Sequence, residues 1–215
     1  MRYSLKRGIA ALGPAGFLFE QYLEQVLQTY GYTTKRNVFF EGTCVSHEID
    51  VVANKGNEHF FIEAKYHNNG GIKTDVTVAM YADARLLDIA PKQSKIENQN
   101  ATHSMWLITN TKFTTTAIKY GLCKKIRMTS WTYPHGESLQ DLIIKKGLYP
   151  VTVLPSIAHV RLQPFVQEKI MLVRDLASFT PSSLAERTGL SKQVSEKILS
   201  EALVALTGEG EKTKK

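Results

Sequence analysis

Two short apolar runs inside His47–Lys65, HEIDVVANKGNEHFFIEAK, set the pattern from which the chain is read. Ile49, Val51, Val52 and Ala53 make the first run, and Phe60, Phe61, Ile62 and Ala64 the second. The connector NKGNE is rich in turn formers, so the pair predicts a β-hairpin. Upstream, Phe17, Leu18, Tyr22, Leu23, Val26 and Leu27 fall on one helical face across Ala15–Tyr30, with Gly31 placed to end the helix. Thr33–Glu41 reads as a strand.

Downstream, Tyr66–Gly71 reads as a loop. Helical spacing returns over Asp75–Ala90 through Val78, Tyr81, Ala82, Arg85, Leu86 and Ile89, and Pro91 is expected to stop it. A polar loop over Lys92–Thr102 follows, then the continuous apolar run Ser104–Thr109 of a buried strand. Thr114–Leu122 predicts a threonine-capped helix, Lys124–Tyr133 a strand, and Ser138–Lys146 another helix. Helix, three strands, helix, strand, helix, strand is an α/β order with a mixed sheet flanked by helices.

The C-terminal part reads as a small all-helical module. Phe165, Ile170, Leu172, Val173 and Leu176 supply its apolar face. Two short helices then flank Thr188-Gly189-Leu190, with Thr180 or Ser182 capping the first and Ser191 the second. Such a hairpin presents backbone N–H groups at a helix N-terminus, which suits a phosphate; a plain packing or dimerisation unit fits the same pattern. The expected organisation is a flexible leader over 1–15, a main domain over 16–134, a connecting segment over 135–160, the helical module over 161–206 and a disordered basic tail over 207–215.

Composition narrows the partners. The 215 residues carry a net charge of +7, which favours a polyanion such as nucleic acid, and their 43% hydrophobic content suffices for a core. Two cysteines make no disulfide framework and fit a reducing, cytoplasmic setting. No apolar run is long enough to span a membrane, and Gly8, Gly13 and Pro14 break up any signal-peptide core. Cys44 and His47 resemble half of a zinc site, but no second pair follows at ligand spacing.

Chemistry enters with the charges that interrupt the hairpin. Strand alternation puts Glu63 and Lys65 on one face, and Asp50 lies near the end of the partner strand. Asp50 and Glu63 offer hard oxygen ligands for Mg2+, and the Ala64 carbonyl a further one. Lys65 would orient the attacking water or offset charge that develops on a phosphate. An ordinary exposed hairpin with a Glu-x-Lys pair has the same pattern. Glu20 on the first helix sits among apolar neighbours, and His67 continues the alternation from Lys65. Lys112, Lys119, Lys124, Lys125 and Arg127 crowd the second half of the domain, either as a phosphate-facing surface or as a solvated face.

Taken in order, GFLFEQYLEQVLQTYGY, EIDVVA and FFIEAK resemble the nuclease domain of the Mrr-like restriction endonucleases, in the PD-(D/E)xK superfamily. The resemblance covers Gly16–Trp131. It implies a restriction-endonuclease-like fold and Mg2+-dependent (or Mn2+-dependent) cleavage of DNA, in restriction or repair. It places the family's helix glutamate on Glu20, its metal aspartate on Asp50 and its Glu-x-Lys on Glu63 and Lys65. It also implies pairing of two copies to cut both strands. Many Mrr-like members carry Gln where Glu63 stands, and this chain has no phosphate loop for ATP. The helical segment loosely resembles a helix-hairpin-helix module, with Gly189 in the hairpin. A Holliday junction resolvase of the same fold, or a non-catalytic nucleic-acid-binding protein, stays open as an alternative.

Overall fold

A computed structural model describes residues 2–13, 16–96, 102–157 and 162–207. The hairpin stands at the centre of a five-stranded sheet. Strands β1 (Thr33–Glu41), β2 (Ser46–Lys55) and β3 (Glu58–Lys65) run antiparallel in sequence order. Gly56 turns β2 into β3 at φ +60°. Beyond β3 the sheet becomes parallel, through β5 (Thr102–Thr109) to β7 (Arg127–Thr129). A two-residue ladder of β4 (Lys73–Thr74) with β6 (Lys112–Phe113) stands apart.

Parallel neighbours need a crossover, and helices supply both. Helix α3 (Val76–Ile96) joins β3 to β5, and α4 (Thr115–Cys123), capped by the Thr114 hydroxyl on Ala117 N, joins β5 to β7. Ala79, Ala82 and Ile89 of α3 and Ala117 of α4 pack on Ile49, Val52, Phe61, Met105, Leu107 and Met128 of the sheet. Small residues on the helices let them lie close to large ones on the strands. Ahead of the sheet, α2 (Phe17–Thr29) buries Phe19, Tyr22, Leu23, Val26 and Leu27. The architecture is thus a mixed α/β sheet flanked by helices, as the element order predicts.

The chain separates into two compact units, Phe19–Leu142 and the pair of segments Met1–Leu18 and Ile143–Lys215. In the second unit, α1 (Arg2–Ala10) buries Leu5 and Ile9, and the turn after it buries Leu12. Residues 2–10 of the expected flexible leader are therefore helical. The two inward residues of α1 lie four apart, at helical spacing, and its Gly8 carbonyl accepts the Thr152 hydroxyl at 2.6 Å. Helix α5 (Leu139–Lys146) is followed by α6 (Leu162–Gln167) and a short 3-10 turn over Val173–Ser178. Then come α7 (Pro181–Thr188) and α8 (Lys192–Thr207). Thr180 caps α7, Gly189 ends it in the left-handed conformation at φ +69°, and the Ser191 hydroxyl receives Val194 N at 3.3 Å. Residues 208–215 of the expected tail lie outside the described residues.

Two further expectations change. Pro91 lies inside α3, which continues to Ile96, so the first half of the expected loop is helical. Pro91 is exposed, where water can satisfy the carbonyl that its missing N–H leaves open. The expected strand over Lys124–Tyr133 shortens to three residues. Lys125 at φ +57° cannot join a ladder, and Trp131 N turns to Thr111 O at 2.8 Å. No described helix is long and apolar enough to cross a membrane.

Candidate active site

The β2–β3 ladder runs from Lys55↔Glu58 to Val51↔Ile62. One step further, the Ala64 amide donates to Oδ2 of Asp50 at 2.7 Å, a side chain rather than the facing backbone. The strands part there, and the charged residues stand at the parting. Val52 and Phe61 face each other in register and pack into the core under α3 and α4. Two-residue periodicity carries Asp50, Glu63 and Lys65 out along that same face, beyond its last apolar rung.

Helix α3 reaches the same point. Arg85 Nη1 donates to Oε2 of Glu63, and both side chains are largely buried. Glu20, in the first turn of α2, feels the charges of Asp50, Arg36, Glu48 and Glu63. Burial pushes its carboxyl up to about 7, and the charge of Asp50 adds to the rise. Glu63 is likewise pushed up to about 7, by burial first and then by Asp50, against the pull of Arg85 and Lys65. Asp50 is raised by burial, while the Ala64 amide, Arg85 and Lys65 work against the rise. Glu20, Asp50, Glu63 and Lys65, taken from three elements, therefore form one electrostatic unit. Burial and mutual repulsion raise the proton affinity of all three carboxyls, while Arg36, Arg85 and Lys65 work against the rise, and such perturbed groups mark a candidate functional site.

The donor set suits a hard divalent ion. Mg2+ takes one or two carboxylates and keeps several waters. Asp50 and Glu63 are the two carboxylates that could serve, with Ala64 next to Glu63 on β3 and its amide on Asp50. Among the described residues no three His, Cys, Asp or Glu side chains are arranged to hold a metal ion. Arg85 engages one oxygen of the Glu63 carboxylate, Oε2, and its charge opposes that of any cation bound to the same carboxylate.

The other candidate residues lie elsewhere. Lys112 is exposed on β6. Lys124 lies 3.2 Å from the Asp83 carboxylate, which also accepts the Tyr120 hydroxyl at 2.8 Å. Lys125 follows it in the left-handed region. Gly189 belongs to the other unit. His67 is held in a polar lattice: its ring meets the Thr74 hydroxyl at 3.1 Å, and burial, then Lys65, lowers its pKa. His47 donates no zinc pattern with Cys44; its Nε2 lies 2.8 Å from Asp88, whose carboxylate also receives the amides of Cys44 and Val45. That contact with His47 holds Asp88 well below the usual carboxylate range and pins the β1–β2 turn to α3.

Two contributors escaped the sequence reading. Arg85 was counted in the helical stripe of α3, and a charge on an inward stripe was the available signal. Asn110 follows β5 and clamps the strand end beyond Lys65. Its Oδ1 accepts His67 N and its Nδ2 donates to His67 O, each at 2.8 Å. No sequence pattern marks that pairing.

Comparison with known proteins gives three likenesses. Residues 149–203 match the family model described as AF1548-like, C-terminal. An uncharacterised protein of Archaeoglobus fulgidus is 38% identical over 180 residues, which are 84% of this chain and 97% of that one. The crystal structure of a protein of unknown function, AF1548, superposes with a TM-score of 0.75 at 36% identity, covering 90% of this chain and all of that one.

Proposed function

The chain belongs to the AF1548-like family, and from the chemistry of its hairpin site we propose that it is a Mg2+- or Mn2+-dependent DNA endonuclease with a restriction-endonuclease-like domain. The observation that supports this reading is that Asp50 and Glu63 stand where β2 and β3 part, with the charge of Lys65 acting on both and Glu20 influenced by both. The sequence of a helix, three antiparallel strands, a helix and a parallel strand supports it.

Asp50 and Glu63 would hold the metal, aided by the Ala64 carbonyl. A bound divalent ion supplies a more acidic water and neutralises charge on the phosphate. Lys65, exposed on the face of Glu63, orients the attacking water or offsets charge that builds on the phosphoryl oxygens. Glu20 completes the acidic group and sets its proton affinity. Backbone amides at Gly189–Ser191 and the exposed lysines Lys112 and Lys125 would contact DNA phosphates, giving affinity without base readout. Two copies would cut the two strands of a duplex.

The test is nicking of supercoiled plasmid in Mg2+ and in Mn2+ by the wild-type chain, Asp50→Asn and Lys65→Met. Wild type should nick, and both variants should lose at least about a hundredfold in rate while still binding the plasmid. Plasmid binding without nicking in either metal would leave a nucleic-acid-binding protein. A four-way junction cut far faster than linear duplex would redirect the assignment to a junction resolvase.

A further inference from the structure

Arg85 is 6% exposed on α3, and its Nη1 holds Oε2 of Glu63. Its Nε is buried and has no hydrogen-bond partner among the described residues. Its guanidinium lies over the ring of Tyr81, one helical turn earlier, 5.1 Å from the centroid. Its charge also reaches Asp50. A purely structural ion pair would be expected to satisfy its buried donors. Here a planar fork with a spare buried donor is kept beside the carboxylates of Glu63 and Asp50. Arginine's fork matches two oxygens of a phosphate as well as it matches a carboxylate.

The pairing also creates a conflict. The carboxylate that Arg85 holds is one of those assigned to the metal, and two cations at one carboxylate repel each other at short range. We propose that Arg85 is a displaceable stand-in for the divalent cation: it neutralises Glu63 while the ion is absent and turns to a phosphodiester oxygen when ion and DNA are both present. This rests on the hydrolase reading of the site. It makes metal binding weak in the free protein and tight on DNA, and by reciprocity metal must tighten DNA to the same degree. Tyr81, largely exposed, gives the guanidinium a surface on which to turn.

The experiment is titration of the full-length protein with Ca2+, read by calorimetry, with and without a short duplex. The chains compared are wild type, Arg85→Met, Arg85→Lys and Asp50→Asn. Without DNA, Arg85→Met should bind Ca2+ about tenfold or more tightly than wild type, because the resident charge is gone. Duplex should then raise wild-type Ca2+ affinity about tenfold and that of Arg85→Met less than about twofold. Arg85→Lys keeps the charge without the fork, so it should resemble wild type alone yet lose most of the gain on duplex. If Arg85→Met does not fold, full retention of that gain in Arg85→Lys overturns the proposal by itself. Equal or weaker Ca2+ binding by folded Arg85→Met also overturns it, and Arg85 is then structural support for Glu63. The hydrolase reading survives that result so long as Asp50→Asn abolishes the wild-type Ca2+ heat. Absence of Ca2+ heat in both wild type and Arg85→Met would overturn the metal site and this proposal together.

Discussion

The carboxylate of Asp50 accepts the Ala64 amide at 2.7 Å, across the gap where β2 has stopped pairing with β3. One side chain thus fixes the separation of the strands and carries a charge at their parting. The two roles come apart on substitution. Asparagine retains an acceptor for the amide and removes the repulsion among the acids; alanine leaves a buried N–H without a partner, at a cost of about 1–3 kcal/mol. In metal-free buffer Asp50→Asn should therefore melt at or above wild type, and Asp50→Ala clearly below Asp50→Asn. Added Mg2+ should raise the melting temperature of wild type only. Thermal melts with and without Mg2+ test all three expectations, and a metal-induced rise in Asp50→Asn would contradict the assigned ligand.

Acidity at the site predicts an unusual pH dependence. Glu20 and Glu63 are raised from 4.5 to about 7, above the values they have in the unfolded chain. Between those two values the folded protein binds more protons than the unfolded one, so stability falls as pH rises. The metal-free protein should melt highest near about pH 5 and lose stability progressively to about pH 8, where both groups are ionised in both states. Mg2+ at the upper pH should restore what is lost. Glu20→Gln should flatten the slope, since it removes one titrating group and eases the ionisation of its neighbours. Melting curves across this interval in a chelator give the answer, and a rise in stability with pH would contradict the electrostatic picture.

The loop after β3 depends on one buried amide. Asn110 takes both backbone polar groups of His67, at 2.8 Å each, and so extends the β3–β5 pairing by one side-chain rung past Lys65↔Thr109. Asn110→Ala should lower stability by about 2 kcal/mol through two unmet backbone groups. Asn110→Asp should do similar damage, because a carboxylate cannot donate to the His67 carbonyl. Both variants should also nick plasmid more slowly than their stability loss accounts for, since Lys65 lies two residues upstream. Denaturant melts paired with nicking rates separate the two effects.

What the sequence made legible follows from where single residues dominate. The hairpin was readable because Phe60, Phe61 and Ile62 admit few roles other than buried strand, and NKGNE admits few other than turn. That Glu63 and Lys65 share a face was readable from two-residue alternation along the strand, whereas the part they play there was not, since an exposed hairpin shows the same pattern. The N-terminal helix was missed because Leu5 and Ile9 give only a short stripe, interrupted by Gly8 and flanked by basic residues. Gly8 proves to be a packing glycine: a Cβ there would run into Val153. Pro91 misled because the carbonyl its missing N–H leaves open, that of Leu87, belongs to an exposed residue, where water lowers the penalty and the helix runs on. The Arg85–Glu63 pair joins residues 22 apart through tertiary packing, and no local pattern can express that.

Gly189 offers a test of the helical module that separates folding from binding. It ends α7 at φ +69°, and a Cβ placed on it meets nothing within 4 Å. Substitution is therefore opposed by backbone strain alone, at about 1–2 kcal/mol for an ordinary side chain and less for asparagine, which tolerates this conformation. If the turn amides receive a DNA phosphate, the open space beside Gly189 is where that phosphate approaches. Gly189→Asn should then keep near-wild-type stability yet lose several-fold in duplex affinity at low salt. Gly189→Val should lose both. Equal duplex affinity for wild type and Gly189→Asn, with equal dependence on salt, would assign the α7–α8 hairpin to packing or assembly and leave DNA contacts to the sheet-bearing unit.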